Sequence, residues 1–149
     1  MLRMTHLAIG LAVALQFFPH VNNKLFFIPL ILFFSLLPDI DSGFSSIGKK
    51  WYAKAAQAIS PHRGFFHSYT FTILFAVILA FFLPVLALPF FLGYSFHLFA
   101  DSFTPFGIRP FWPLKVKSVG KVNTGGKVEI AIFWVFVIID MFLLISLFI

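Results

Sequence analysis

The chain contains no cysteine, and only 11% of its residues are charged, against about 25% in ordinary soluble domains. Without cysteine, disulfides and thiolate metal sites are excluded, so any bound metal must take nitrogen and oxygen ligands. Such ligands suit zinc, manganese or iron, and the presence of imidazoles makes magnesium a poorer fit. The sequence also lacks a glycine-rich phosphate-binding loop and a convincing nucleophile–base pair.

In place of charge, the chain carries long apolar runs. Hydrophobic residues make up 60% of its 149 residues, above the usual soluble range of about 45–50%, and its mean hydropathy is +0.99. This composition predicts a single multi-spanning membrane domain over residues 1–149. The apolar runs are Leu7–Phe18, Leu25–Leu37, Phe71–Ala100 and Val128–Ile149.

The run Phe71–Ala100 determines how many helices we expect. It exceeds the roughly 20 residues that one span needs, and it contains Pro84 and Pro89 near its middle. Because proline removes a helix hydrogen bond, we expect a break there and two helices, about Ser68–Leu83 and Val85–Ala100. The sequence therefore predicts an all-α membrane bundle of about five helices, formed by two short hairpins and a C-terminal span.

The basic residues predict how this bundle is oriented. With the N-terminus in the cytoplasm, five helices leave Lys24 as the one basic residue of 11 on the opposite side. This bias follows the positive-inside rule and places the C-terminus outside. The formal charge of +6 therefore predicts contacts with membrane lipids and no partnership with nucleic acid.

The side chains able to hold a metal fall beside the ends of these helices. Charges are costly in a membrane, so those that persist next to apolar runs are functional candidates. Asp39, Asp41 and Asp101 each follow an apolar run, where a helix C-terminus favours cations over carboxylates. The five-helix topology brings all the candidates to one face. They are His6, Asp39, Asp41, His62, His67, His97 and Asp101.

Each candidate motif has a simpler alternative when it is taken alone. His97 and Asp101 are four residues apart, so on a helix they can reach one ion or form a buried hydrogen bond. The segment LLPDIDS can equally be a solvated polar turn, and PHRGFFHS can contact lipid phosphates. The convergence of these motifs on one face is what favours a metal site over the separate alternatives.

Four motifs also give the chain a family resemblance. THLAIG, LLPDIDS, HRGFFHS and GYSFHLFADSFTPFG, spread over Thr5–Gly107, resemble the YdjM-like family of inner-membrane metal-dependent hydrolases. The resemblance implies a multi-pass location in the inner membrane and metal-dependent hydrolysis. That family is also described as LexA-binding, which would imply a DNA-repressor partner, but no feature of this sequence supports one.

A more distant similarity implies a ligand set. The zinc-dependent phospholipase C and single-strand nuclease superfamily has ligands in the order His, Asp, His and HxxxD, followed by a proline. The residues so implied for one metal are Asp39 or Asp41, His67, His97 and Asp101. A second metal would use His6, with Asp101 bridging. That superfamily carries a further histidine where this chain has Gly107, so the resemblance implies one or two metals and not three.

Together these features predict a metal-dependent hydrolase, similar to a phosphoesterase or phospholipase. We expect it to act on a phosphoester such as a lipid headgroup at the cytoplasmic interface, with zinc as the cofactor and manganese or iron as alternatives. Asp39 or Asp41, whichever is not tightly coordinated, is the candidate general base. Arg63 can clamp a substrate phosphate in bidentate fashion.

Two functions of other classes compete with this prediction. A metal or ion transporter would have its site near the membrane midplane between repeats, whereas these candidates lie at helix ends and no repeat is visible. A regulatory or interaction protein would use the metal only to hold short helices together. Asp140 lies inside the final span, where it needs a partner or a polar cavity and can serve helix packing or a proton path.

Overall fold

A computed structural model describes residues 1–41 and 64–148 of the chain. In these residues it contains five α-helices, short 3₁₀ turns, an irregular connection and no β-strand. The predicted all-α bundle of two hairpins and a C-terminal helix is confirmed. The helices are α1 (Arg3–Phe17), α2 (Lys24–Leu36), α3 (Tyr69–Phe82), α4 (Pro84–Ser102) and α5 (Lys127–Ser146).

The break in the long apolar run lies at Pro84. Helix α3 ends at Phe82, and α4 begins with Pro84 at its first position, where a backbone N–H would have no partner within the helix. Leu83 between the two helices leaves the helical conformation, with φ −141° and ψ 67°. Pro89 lies inside α4 and ends no helix, so a single proline produces the predicted hairpin.

Two of the helices are long and apolar enough to cross a membrane. Helix α4 has 19 residues and α5 has 20, close to the roughly 20 that a span requires. Helix α3 is also apolar, but it has only 14 residues. Only 11% of the apolar stretch of α5 is buried inside the protein, so most of its side chains need lipid around them.

Helix α4 packs on α2 and α3, while α1 packs on α2 and on α5. One buried cluster joins Phe34 of α2 to Phe90 and Leu98 of α4. A second buried cluster joins Ala14 of α1 to Ile31 of α2. Helix α1 therefore connects α5 to the rest of the bundle, since it also packs on α4.

Helices α2 and α4 approach each other closely at Gly93. A Cβ atom added to Gly93 would lie 2.6 Å from the carbonyl oxygen of Ile31 and 3.0 Å from the nitrogen of Ser35. Gly10 of α1 faces the same serine, since a Cβ atom there would lie 3.1 Å from the Ser35 side chain. Small residues at such contacts let helix backbones come close together in membrane proteins. Because Gly93 is one turn before His97, this crossing also fixes where the end of α2 meets that histidine.

We expect Gly93→Ala to lower the thermal unfolding midpoint of the detergent-solubilised protein more than Gly10→Ala does. A methyl group at position 93 would meet backbone atoms, which can move only if α2 separates from α4. A methyl group at position 10 would meet a side chain, which can shift more easily. Forced overpacking costs about 1–3 kcal/mol. Equal midpoints for the two variants would show that the close crossing is not required.

Candidate metal centre

Five side chains from four separate segments meet at one end of the bundle. They are His6 of α1, Asp39 of the 3₁₀ turn after α2, His67 of the 3₁₀ turn before α3, and His97 and Asp101 of α4. All five belong to the ligand set predicted from the sequence. The hairpin at Pro84 is what returns the end of α4 to the end of the bundle where α3 begins.

The possible ligand atoms lie at spacings that suit one ion. Asp101 Oδ1 is 3.4 Å from His6 Nε2, and Asp101 Oδ2 is 3.8 Å from His67 Nε2. His97 Nε2 is 3.8 Å from Asp39 Oδ1 and 3.9 Å from Asp101 Oδ2. Ligand atoms bound at about 2.1 Å around a tetrahedral zinc lie about 3.4 Å from one another. The observed spacings are therefore compatible with a shared divalent ion.

These residues form two overlapping groups of three whose ligand atoms lie within 4.8 Å of one another. One group is His6, Asp39 and His97, and the other is His67, His97 and Asp101. Both groups contain His97, whose Nε2 has a single lone pair. One ion can use His97 at a time, so a second ion would depend on the other ligands alone.

A backbone hydrogen bond sets the orientation of His97. Its Nδ1 lies 2.6 Å from the carbonyl oxygen of Ser35, near the end of α2. A carbonyl oxygen can only accept, so Nδ1 carries the proton and donates it, while Nε2 keeps its lone pair. Histidines that bind metals almost always donate their second ring N–H in this way. His97 is thus held in the tautomer that a metal ligand requires.

Two buried nitrogens of the cluster make no hydrogen bond within the described ranges. They are Nδ1 of His6 and Nε2 of His97, while Nε2 of His6 has only its long 3.4 Å approach to Asp101 Oδ1. The two rings stack with centroids 3.8 Å apart and planes 12° from parallel, an arrangement in which two positive charges would repel. Buried polar atoms normally have partners, because leaving them without one is costly. A cation bound between these side chains would give one nitrogen of each ring a partner.

Asp39 is the member of the cluster that solvent reaches. Its side chain is 16% exposed, whereas the side chains of the histidines and of Asp101 are almost fully buried. Asp101 already lies against one cation, because the amino group of Met1 is 2.5 Å from its Oδ1. Among these five side chains, a molecule from the solvent would therefore meet Asp39 first.

Hydrogen bonds from two tyrosines hold the segment around His67 against α4. The Tyr94 hydroxyl donates to the carbonyl oxygen of Phe66 at 2.8 Å, and the Tyr69 hydroxyl donates to that of Ser95 at 3.2 Å. The first bond joins the turn that carries His67 to α4, and the second joins the start of α3 to α4. They hold His67 against the helix that supplies two other members of the cluster.

Glu129 is a buried carboxylate that was absent from the predicted site. It is fully buried, and its two oxygens accept from the backbone nitrogens of Leu2 at 2.5 Å and of Gly125 at 2.6 Å. This contact ties the start of α1, which carries His6, to the start of α5. A sequence signal existed, since Glu129 is the chain's only glutamate and stands three residues after the glycine that precedes α5, as in a capping box.

The remaining predicted residues lie outside this cluster or outside the described residues. The structure does not describe the side chain of Asp41 or any part of His62 and Arg63. The roles of these three residues therefore stay predictions. Asp140 is almost fully buried in α5, where its Oδ1 has no hydrogen-bond partner in the described part of the chain. It belongs to neither of the two ligand groups.

The family model described as YdjM inner membrane protein matches residues 1–149. The chain belongs to this family. Its curated relatives include Inner membrane protein YdjM of Escherichia coli (strain K12) and of Shigella flexneri, each 36% identical over 99 residues. Each match covers 59% of this chain and 50% of the relative, so the chain spans about half the length of the curated relatives it matches. No solved structure matches. The family resemblance predicted from the four motifs is confirmed.

We expect Glu129→Ala to loosen the start of α1 and, with it, the position of His6. The substitution removes two hydrogen bonds to a charged acceptor, and such bonds contribute about 1.5–3 kcal/mol each at most where water can replace them. Hydrogen exchange of residues 2–6 should accelerate. Glu129→Gln, which keeps one carbonyl oxygen, should show a smaller change. Unchanged exchange of residues 2–6 in Glu129→Ala would show that this carboxylate does not hold α1.

Proposed function

We propose that this membrane protein is a metal-dependent hydrolase that acts on a phosphoester, such as a lipid headgroup. Its site would face the cytoplasm, and its C-terminus would lie on the opposite side of the inner membrane. The observation that carries the proposal is the hydrogen bond from His97 to Ser35, which leaves Nε2 of His97 facing the carboxylates of Asp39 and Asp101. A buried imidazole held in this way has the chemistry of a metal ligand.

Zinc suits the nitrogen and oxygen donors of the cluster, with manganese or iron as alternatives. The residues that would hold it are His6, Asp39, His67, His97 and Asp101, with Asp41 and His62 as further candidates from the sequence. When bound, a divalent ion supplies Lewis-acid polarisation of a phosphoryl oxygen and activation of water. The buried ring nitrogens of His6 and His97 support this fit, because a cation would give one nitrogen of each ring a partner.

The protein's own side chains supply the remaining chemistry. The general base is whichever of Asp39 and Asp41 is not tightly coordinated, and Asp39 is the cluster carboxylate open to an entering water. Asp41 is the alternative base from the sequence. Arg63 has a planar guanidinium with paired N–H donors, which suits it to hold two oxygens of a substrate phosphate. A phosphoester substrate is supported by this set of groups and by the membrane location, since lipid headgroups carry phosphoesters.

A transporter is the less suitable alternative, because the cluster lies at helix ends and not at broken helices near the midplane. One observation favours the other alternative, a regulatory or interaction protein in which the metal only holds the helices together. Structural metal sites are closed, and four of the five side chains in this cluster are almost fully buried. The exposed edge of Asp39 favours the catalytic proposal over this one.

We expect the purified protein to contain a divalent metal and to release phosphate or headgroup from at least one member of a phospholipid panel. His97→Ala should lose most of the metal, because it removes a ligand shared by both groups. Asp39→Asn and Asp41→Asn are compared to find the general base. The variant that loses the base should keep its metal while losing most of its turnover. General bases contribute about 10²–10⁴-fold to rate.

The matched control is His20→Ala, because His20 lies in the turn between α1 and α2, at the other end of the hairpin from the cluster. It should leave metal content and turnover unchanged. Equal metal content in the unsubstituted protein and His97→Ala would contradict the metal site. Full metal content without hydrolysis of any lipid in the panel would instead favour an ion that only joins the helices.

A further inference from the structure

The connection between α4 and α5 combines positive charge with exposed apolar side chains. Residues 103–126, named the strap from here on, contain no aspartate or glutamate. Their basic side chains, all exposed, are Arg109, Lys115, Lys117 and Lys121. Their large exposed apolar side chains include Phe106, Phe111, Trp112, Leu114 and Val116. The strap therefore presents a surface that is both cationic and hydrophobic.

Backbone hydrogen bonds give the strap a defined shape. Ile108 and Ser118 exchange two N–H···O bonds of 2.9 Å each. The Gly120 nitrogen donates to the carbonyl oxygen of Thr104 at 3.0 Å. The bridge between Ile108 and Ser118 is isolated, with no strand on either side of it. The exposed apolar groups thus belong to a folded surface.

The strap also contacts two segments of the candidate metal centre. The Trp112 ring lies 5.0 Å from that of Phe65, in the same 3₁₀ turn as His67. At the other end, the Thr104 hydroxyl donates to the carbonyl oxygen of Asp101 at 2.8 Å. The strap is therefore on the same side of the bundle as the cluster.

We propose that the strap is a bilayer-facing surface that binds anionic lipid headgroups. It joins two helices long enough to cross the membrane, so it lies at the membrane surface where both of them end. Exposed tryptophan suits the membrane–water interface, and exposed phenylalanine and leucine suit the boundary between headgroups and acyl chains. Basic side chains without acidic neighbours complement anionic headgroups. Duplex nucleic acid would match the charge, but it would leave the apolar side chains in water.

Binding of this kind would concentrate anionic lipids next to the segments that carry His67 and Asp101. For the proposed hydrolase, this favours anionic phospholipids as the class of substrate. That consequence rests on the proposed function, whereas lipid binding by the strap needs neither metal nor catalysis. The two proposals can therefore fail separately.

Trp112 serves as a probe of the strap in the full chain. With Trp51→Phe and Trp134→Phe, it is the only tryptophan left. In nanodiscs, its fluorescence is measured with brominated phosphatidylglycerol or with brominated phosphatidylcholine at the same mole fraction. We expect the anionic lipid to quench about twofold more strongly, because the basic side chains enrich it at the strap. Joint replacement of Lys115, Lys117 and Lys121 by glutamine should remove this preference, and replacement by arginine should keep it.

The control is Lys24→Gln, which removes an exposed lysine at the start of α2, at the end of the hairpin away from the cluster. It should leave the quenching ratio unchanged. Equal quenching by the two lipids would overturn the proposal, and so would a preference that survives the three glutamines. Quenching of Trp112 by aqueous acrylamide but by neither brominated lipid would place the strap in water. Shielding of Trp112 by duplex DNA, with no lipid preference, would assign the surface to nucleic acid and also overturn the proposal.

Discussion

The hydrogen bond from His97 Nδ1 to the carbonyl oxygen of Ser35 is the contact on which the cluster depends. It requires α2 and α4 to lie close together, and Gly93 leaves the space for that approach. The same bond decides which ring nitrogen of His97 faces Asp39 and Asp101. Helix packing and the chemistry of the candidate site are therefore fixed by one crossing of two helices.

The cluster gathers buried polar groups at one end of an apolar bundle, where they are costly unless something binds them. Asp101 lies at the end of α4 and Asp39 just after α2, so both carboxylates face the negative ends of helix dipoles. Carboxylates and neutral imidazoles both offer lone pairs. When they lie together at helix C-termini, they therefore bind a cation better than they bind one another. A divalent ion would relieve the repulsion between the carboxylates and give the imidazoles of His6 and His97 a partner.

The five helices and the hairpin at Pro84 could be predicted because they follow from local properties, namely apolar length and a missing backbone N–H. The cluster itself could be predicted from polar residues that stand beside apolar runs. The roles of Ser35, Gly93 and Glu129 could not, because each depends on which backbone group of another helix lies opposite. A serine or glycine within an apolar helix does not indicate which other helix will pack against it. Likewise, the capping position of Glu129 does not predict its contact with Leu2.

The most direct test of the metal centre is X-ray absorption at the zinc edge, measured on zinc-loaded protein in nanodiscs. We predict a first shell of nitrogen and oxygen atoms, with the multiple-scattering signature of at least two imidazole rings. Sulfur should be absent, because the chain has no cysteine. A shell of oxygen atoms alone, as expected for a hydrated ion bound to surface carboxylates, would contradict a metal centre built on His6, His67 and His97.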